Sequence, residues 1–373
     1  MSPRVLMACY EVPGYGGAST ASYRLFETLQ RDGLDVSFLN LIDEQDHEYF
    51  RYRFGEDYGN PRRLAGVVNC VLAGTLFESH PELSRTIDAI APDVLLADDF
   101  IATLLLKRAS PHTRLIFMTA GLAQVAEYLR HRQGTGPFRV EEFLRAARGG
   151  LKVFAPRERE AMLAADLIVT HSDLVRDLTL ALFPDCSGKV YSKVIWRAEW
   201  IADDAKPYAG LMRSFEERDI DAIFVASSWH RPVKNLPLVR AIASRAEGLR
   251  LHVVGELQGP LAGATCHGLV RDREALFALL GRSKTLVCPS TFDAAPGILW
   301  EASVMGCNIV ASRHCGNWML CDKDLLAEAD RSESFADKIA LSLGGRREDH
   351  MPFFIDAGSY RDLVETITTS ALF

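Results

Sequence analysis

The stretch Cys288–Gly316 constrains this chain more than any other, because it specifies a strand, a tight loop, a helix and a second strand in direct succession. An apolar run that ends in the letters CPS predicts a short buried strand. A loop of small residues follows, and the next predicted helix spans residues 298–305, with Pro296 suited to its first turn. Gly306 suits a left-handed helix end, and residues 308–312 form another apolar run. The stretch therefore predicts one β-loop-α-β unit of an α/β sheet.

The loop and the start of this helix predict a site for an anion and for hydroxyl groups. Asp293 lies on the loop, and Glu301 lies one turn into the helix, eight positions later. Carboxylates so placed accept hydrogen bonds from the hydroxyls of a polyol. Backbone N–H groups at a helix start, aided by the helix dipole, favour phosphate. The amides expected to point out of this loop are those of Ala294, Ala295, Gly297 and Ile298.

Composition narrows the class of protein. A chain of 373 residues is long enough for two domains, and 48% hydrophobic with 24% charged residues is typical of a soluble globular protein. A net charge of −7 argues against nucleic acid as a main partner. No apolar run approaches the roughly 20 residues that span a bilayer, and the N-terminus lacks the apolar core of a signal peptide.

The cysteines and histidines show no metal-ligand spacing. Eight cysteines are scattered without a CxxC pair, and ten histidines form no HExxH motif. This usage predicts reduced thiols in a cytoplasmic protein and no metal site.

Apolar runs alternate with helical patterns through the first 200 residues, which predicts a parallel sheet of about seven strands. The loop after the first strand contains Gly16 and Gly17 but lacks the third glycine of a dinucleotide fingerprint. Residues 47–78 show no strand period and are interpreted as an irregular insertion with helices. The predicted strands of this half are 4–10, 35–41, 93–97, 114–119, 166–170 and 189–195.

A second α/β series begins after a polar connection at residues 203–219. Its first strand, 221–226, leads into a loop that contains Arg231 and Lys234, and strand 251–256 follows a helix. The guanidinium of Arg231 and the ammonium of Lys234 would stabilise the negative charge of a diphosphate bound beside them. The alternative interpretation is that the two residues are ordinary surface charges at the start of a helix.

Residues Leu129–Glu160 are rich in both signs of charge. This pattern is typical of a solvated helical face; the alternative is a basic rim for an anionic acceptor or for peripheral contact with a membrane surface.

The pattern P-S-x-x-[acid]-x7-E-A-x3-G, read with the preceding KN, VGE and HGLV motifs, resembles the retaining glycosyltransferases of the GT-B fold, family 4 (glycosyltransferases group 1). The resemblance covers residues 225–316 firmly and the first 200 residues by topology and the early glycine loop. Two departures stand out: Asp293 replaces the usual first glutamate, and Thr119 is followed by alanine and glycine where the family often carries a histidine.

The resemblance implies an α/β protein of two Rossmann-like domains that face each other across a cleft. The expected divisions are an acceptor-side domain at 1–200, a nucleotide-sugar domain at 201–350, and a C-terminal helix at 351–373 that crosses back to the first domain. The implied reaction moves a sugar from a nucleotide-diphosphate sugar to an acceptor hydroxyl with retention of configuration. No metal or other cofactor is implied.

The resemblance also implies roles for individual residues. Arg231 and Lys234 would stabilise the leaving diphosphate, Asp293 would hold the donor sugar and Glu301 the ribose. The further donor-site residues are expected to be Gly16, Gly17, Ser227, Gly255, Val270, Ala295, Gly297 and Ile298.

Alternatives with other functions stay open. An epimerase or hydrolase of nucleotide sugars could share the fold and the donor site, and a catalytically silent binding protein would fit the two departures from the family pattern. A two-domain dehydrogenase is disfavoured because no GxGxxG motif follows a strand. The sequence alone does not specify the base, the sugar, the acceptor or the oligomeric state.

Overall fold

The structure is a computed structural model, and it contains no ligand. It describes residues 3–10, 17–54, 65–73, 80–119, 121–132, 138–149, 151–191, 198–246, 248–347 and 359–370.

Two parallel sheets form the framework of these described residues. The strands are β1 (Arg4–Cys9), β2 (Asp35–Asp43), β3 (Val67–Leu72), β4 (Val94–Ala97), β5 (Arg114–Thr119), β6 (Leu167–Thr170), β7 (Ile220–Ser228), β8 (Leu251–Glu256), β9 (Ala264–Cys266), β10 (Ser283–Cys288) and β11 (Asn308–Ala311). The first sheet has the order β3-β2-β1-β4-β5-β6 and the second has β11-β10-β7-β8-β9. Every neighbouring pair in both sheets runs parallel. The order in each sheet is that of a Rossmann-like domain, so the predicted fold class of two such domains is confirmed.

Helices connect the strands, as parallel sheets require. They are α1 (Gly17–Arg31), α2 (Glu44–Phe54), α3 (Pro81–Ile90), α4 (Phe100–Ala109), α5 (Ala123–His131), α6 (Val140–Gly149), α7 (Ala155–Ala164), α8 (Asp173–Leu182), α9 (Ala198–Ala205), α10 (Leu236–Arg245), α11 (Arg273–Gly281), α12 (Gly297–Val304), α13 (Ser332–Ser342) and α14 (Ser359–Ser370). None of the helices in the described ranges is long and apolar enough to cross a membrane.

The chain divides into two compact units, and each is made of segments that are separated in the sequence. The first unit comprises residues 1–122, 152–195 and 359–373, and the second comprises 123–151 and 196–358. Residues 123–151, which contain α5 and α6, therefore pack with the second sheet although they follow β5 of the first. The divisions predicted at residues 200 and 350 stay predictions.

One sequence prediction for the first unit is wrong, and a second is tested over only part of its length. The region predicted as an irregular insertion at 47–78 contains β3, which pairs with β2 from Phe38 to Asp43. β3 is an edge strand of six residues, and its largely apolar sequence VVNCVL lies in a region otherwise rich in charged and aromatic residues. The strand predicted at 189–195 is described only at residues 189–191, where Lys189 ends a 3₁₀ helix, Pro184–Lys189, and Val190 forms a parallel bridge with Ile168 of β6. Residues 192–197 lie outside the described residues.

A buried arginine links the second sheet to helix α12. Arg218 is 2% exposed and donates hydrogen bonds to the backbone carbonyls of Ser283, Met305 and Gly306 at 2.6, 2.9 and 2.9 Å. Burial lowers the pKa of the guanidinium, although the thiol of Cys307 partly opposes the shift. These bonds tie the start of β10 to the end of α12, the strand and the helix on either side of the loop of Asp293.

The charge-rich segment 129–160 makes many of its ion pairs along the protein surface. Arg139 lies 3.7 Å from Glu142, and Arg157 lies 2.9 Å from Glu160. Arg108 pairs with Glu160 at 3.0 Å. Exposed ion pairs of this kind contribute little stability. Because these arginines are paired with glutamates, the segment fits a solvated helical face better than a basic rim for an anionic acceptor or a membrane surface.

Candidate functional site

The candidate site lies at the carboxyl edge of the second sheet. β10, β7 and β8 are neighbours in that sheet, so the loops that follow them emerge at one edge. In open parallel sheets of this kind, ligands bind outside the carboxyl ends of the strands. Arg231 and Lys234 lie on the loop after β7, and Asp293 lies on the loop after β10. Ser227 and Gly255 lie at the carboxyl ends of β7 and β8. The structure thus brings together the residues that the sequence assigned to the second domain.

Lys234 and Asp293 are bonded to each other. The ammonium group of Lys234 donates a hydrogen bond to Oδ2 of Asp293, and the two side chains are only 18% and 16% exposed. Burial lowers the pKa of Lys234, but the attraction of Asp293 and its hydrogen bond outweigh burial, so the net shift is upward. Lys234 is therefore a fixed positive charge at neutral pH. An ammonium group has three donors, and two remain for a second anion beside Asp293.

The loop after β7 places these charges through a short 3₁₀ helix, Pro232–Lys234. Arg231 precedes it with extended backbone and an exposed side chain, and the amide of Lys234 donates to the Arg231 carbonyl at 2.9 Å. Asn235 follows with φ +58°, a left-handed conformation that asparagine tolerates, and its side chain caps α10 by accepting from the amide of Leu238.

The loop after β10 is anchored on both sides of Asp293. The amide of Asp293 donates to the carbonyl of His314 at 3.0 Å, and the amide of Gly316 donates to the carbonyl of Asp293 at 2.7 Å. The amide of Thr291 donates to Val233 at 2.9 Å, which joins this loop to the 3₁₀ helix of Lys234.

Helix α12 starts at Gly297, directly after Pro296. Pro296, which was predicted within the first turn, is instead the N-cap residue directly before it. The amides of Gly297 and Ile298 open the helix and have no carbonyl partner within it. Both residues and Ala295 are partly accessible. The α12 N-terminus is therefore suited to an anion at the position expected from the sequence.

Glu301 is held by an arginine that the sequence analysis missed. Oε1 of Glu301 accepts from Arg273 Nη1 at 2.6 Å, and the Glu301 side chain is 16% exposed. Arg273 also lies 3.9 Å from Asp204 and stacks over the ring of Phe277 at 4.8 Å. Arg273 lies 28 residues before Glu301, and no motif in the sequence links the two positions.

Gly255 allows the ends of β7 and β8 to approach closely. Its φ is +128°, and a Cβ atom there would lie 2.0 Å from the carbonyl oxygen of Ala226 and 2.9 Å from Nε1 of Trp229. Trp229 Nε1 donates to the Val254 carbonyl at 3.0 Å, which pins the loop of Lys234 to β8. Only glycine fits this position.

The loop after β9 also lies at the carboxyl edge of the second sheet. The amide of Gly255 donates to the carbonyl of Gly268 at 2.7 Å, so this loop is held against β8. Val270 is half-buried and packs on the hydrophobic cluster that contains Phe277 and Trp300.

The remaining predicted site residues belong to the first unit. Gly17 is the first residue of α1, and Gly16 lies outside the described residues. Their assignment stays a prediction. Within the described ranges, no group of three histidine, cysteine, aspartate or glutamate side chains could hold a metal ion.

Asp330 was also missed by the sequence analysis. Its carboxylate accepts hydrogen bonds from the Asn235 side chain at 2.7 Å, the Thr291 hydroxyl at 3.2 Å and the Phe138 amide at 2.8 Å. Its φ is +59°, a left-handed conformation.

The ring of Phe138 packs beside Asp293's loop. It lies 5.9 Å from the ring of Phe292 and 5.3 Å from that of His314, the latter edge-on. Burial lowers the pKa of His314, opposed by the carboxylate of Asp330. The segment 123–151 thus contributes a side chain to the support of this loop.

Comparison with known proteins gives one family match. Residues 221–344 match the family model described as Glycosyl transferases group 1, which covers most of the second sheet and the candidate site. Among curated proteins, none is significantly similar to the chain in sequence.

Solved structures share the fold over the whole chain. Sucrose-phosphate synthase from Thermosynechococcus elongatus is 13% identical, with a TM-score of 0.65, and the match covers 99% of this chain and 96% of that one. The catalytic domain of starch synthase IV from Arabidopsis thaliana, bound to ADP and acarbose, is 12% identical with a TM-score of 0.61, and both chains are covered completely, at 100%. HepE from Anabaena in complex with UDP-glucose is 15% identical with a TM-score of 0.57, over 98% of this chain and 95% of that one. These solved structures share the fold of the chain, and the family match relates residues 221–344 to the Glycosyl transferases group 1.

Proposed function

We propose that this protein is a retaining, metal-independent glycosyltransferase of family 4 type, which moves a hexose from a nucleotide-diphosphate sugar to an acceptor hydroxyl in the cytoplasm. One observation carries the proposal. Within the residues that match Glycosyl transferases group 1, a fixed cation, an open helix N-terminus and two carboxylates meet at the carboxyl edge of one parallel sheet. The solved relatives named above include one complex with ADP and one with UDP-glucose.

The cationic groups serve the leaving diphosphate. Lys234 and Arg231 compensate the negative charge that grows as the bond to the sugar breaks, and the α12 amides hold phosphate oxygens. Lys234 keeps Asp293 as a partner and uses its two other donors for the diphosphate. Gly16 and Gly17 are also proposed as donor-binding residues, on the family resemblance of the early glycine loop alone. The leaving phosphate itself takes the proton of the attacking hydroxyl, so no separate base is needed.

The carboxylates serve the sugar and the ribose. Asp293 accepts hydrogen bonds from hydroxyls of the donor sugar, and the hydrogen bond from Lys234 orients its carboxylate. Glu301 binds the ribose through the oxygen that Arg273 leaves available. Gly255 and Val270 shape the pocket of the base, and Ser227 borders it.

The test is turnover with a panel of UDP-, GDP- and ADP-sugars, with and without EDTA and a mixture of hydroxyl acceptors. We expect release of nucleoside diphosphate that depends on the acceptor, at a rate that EDTA leaves unchanged, and a product whose anomeric configuration by NMR is that of the donor. Release without any acceptor would instead favour an epimerase or hydrolase. Binding without turnover of any donor would favour a silent binding protein, and a strict need for Mg²⁺ would contradict the metal-free mechanism.

The division of roles between the two carboxylates gives a second expectation. Asp293→Asn should leave the affinity for the bare nucleoside diphosphate within about 3-fold but lower sugar transfer by about 100-fold, because an interaction with the reacting sugar is lost. Glu301→Gln should weaken the nucleoside diphosphate and the nucleotide sugar alike, by about 10-fold, because both contain the ribose. Calorimetric titration of both ligands into both variants measures this. Equal weakening of both ligands in both variants would show that the roles are not divided in this way.

A further inference from the structure

We propose that Asp330 is a positioning residue for the sugar-transfer site, and that it couples the segment 123–151 to both members of the Lys234–Asp293 pair. The proposal rests on the proposed function for its catalytic consequence, and on the hydrogen bonds of Asp330 for its geometry.

The carboxylate of Asp330 joins three parts of the chain that are distant in sequence. Oδ1 accepts from Nδ2 of Asn235 at 2.7 Å and from Oγ1 of Thr291 at 3.2 Å. Oδ2 accepts from the amide of Phe138 at 2.8 Å. Asn235 directly follows Lys234, and Thr291 lies two residues before Asp293. One side chain therefore sets the position of both loops that supply the ion pair.

A second contact surface supports the same geometry. The ring of Phe138 packs on Phe292, the residue before Asp293, and on His314, whose carbonyl accepts the amide of Asp293. α5 also packs against the 3₁₀ helix that ends in Lys234. The segment 123–151 thus contacts both loops directly. In addition, the backbone amide of Phe138 in this segment is hydrogen-bonded to Asp330.

This arrangement favours positioning over direct catalysis. At least three donors from the protein already occupy the Asp330 carboxylate, so its capacity for a substrate hydroxyl is small. Its effect on the reaction must act through Lys234 and Asp293. A displacement of reacting groups by about 1 Å costs on the order of 100-fold in rate, which makes such a support measurable.

Asp330→Asn is the discriminating variant. Asparagine keeps the size and tolerates the left-handed backbone at φ +59°, so the fold has no new strain. An amide has an NH₂ in place of one acceptor oxygen, and in either orientation that group faces a donor. We expect kcat for the nucleotide sugar to fall by about 10-fold or more while KM changes by less than about 3-fold. The matched control is Asp337→Asn on α13, an exposed aspartate outside the site, which should leave both constants unchanged.

Hydrogen exchange supplies a readout that does not depend on turnover. In Asp330→Asn, amides of residues 138–149 and of the loop 289–296 should exchange faster together, while those of β8 should not change. Faster exchange with an unchanged kcat would make Asp330 a structural residue alone and would overturn the proposal. Unchanged exchange would overturn the coupling itself. A wild-type protein that turns over no nucleotide sugar would overturn the proposed function and the catalytic part of this inference together, whereas an active wild type equalled by Asp330→Asn overturns the inference alone.

Discussion

Replacement of Lys234 by alanine is expected to lower the turnover of a nucleotide sugar by about 100-fold or more. Loss of one hydrogen-bond donor to the transition state typically has an effect of this size. The physical reason is the charge that develops on the diphosphate as it leaves. Lys234 is held in place by Asp293 and is protonated at neutral pH, so it meets this charge without reorganisation. Steady-state kinetics at saturating donor measure the effect. Lys323→Ala, at an exposed lysine in the same unit, is the control and should retain full activity.

The same substitution also affects stability, and the two effects are separable. Removal of Lys234 leaves the Asp293 carboxylate largely buried without its partner, which costs about 3 kcal/mol of unfolding free energy in comparable pairs. A double variant, Lys234→Met with Asp293→Leu, removes both charges and should recover most of that stability without recovering turnover. Activity of Lys234→Ala within a few-fold of wild type would remove this residue from the reaction.

Gly255→Ala is expected to be the most destabilising single substitution at the site. Its Cβ would lie 2.0 Å from a backbone oxygen, so β7 and β8 must separate, and Ala226 and Trp229 must move. Losses above about 4 kcal/mol arise from such core overpacking combined with backbone strain. Denaturant unfolding followed by circular dichroism measures the loss, and nucleotide binding should be abolished with it.

Gly259→Ala isolates the steric part of this effect. Gly259 also has a positive φ, +81°, but a Cβ atom there meets nothing within 4 Å. It should therefore cost only the backbone strain, about 1–2 kcal/mol. If the two alanine variants lose equal stability, the close approach of the two strands is not what requires glycine at position 255.

The sequence predicted those features that depend on local pattern. The buried strands β4, β5, β8 and β10 each contain a short apolar run, and they occupy the predicted positions within one or two residues. The helix that carries Glu301 spans residues 297–304, one residue earlier than the predicted 298–305. β3 has the largely apolar sequence VVNCVL, but it was not predicted because it is only six residues long and lies in a region rich in charged and aromatic residues.

The residues that hold the candidate site in position were not predicted, for a different reason. Arg273, Asp330 and Arg218 act through partners 28 to 192 residues away in the sequence, so no spacing pattern reveals them. Each is a charged residue in a region that reads as polar surface or helix start. Only the packed fold shows that the Arg218 guanidinium is buried and that the Asp330 carboxylate collects three donors. The residues expected to touch a ligand were readable from the sequence, whereas the residues that hold them in place were not.

The division of the chain into alternating segments has a consequence for synthesis on the ribosome. Residues 123–151 emerge before any strand of the second sheet exists. Phe138 packs on Tyr128 and Phe143 within this segment, but its contacts with Phe292 and His314 form only after those later residues are made. The first unit is likewise completed only by α14, whose Leu363 and Ile367 are fully buried and which follows every strand of the second sheet. The second unit therefore cannot finish folding until its own strands are made, and the first cannot finish until α14 is made. The nascent protein must carry unpartnered apolar surface until these later segments emerge, and in that interval chaperone binding or misassembly competes with folding.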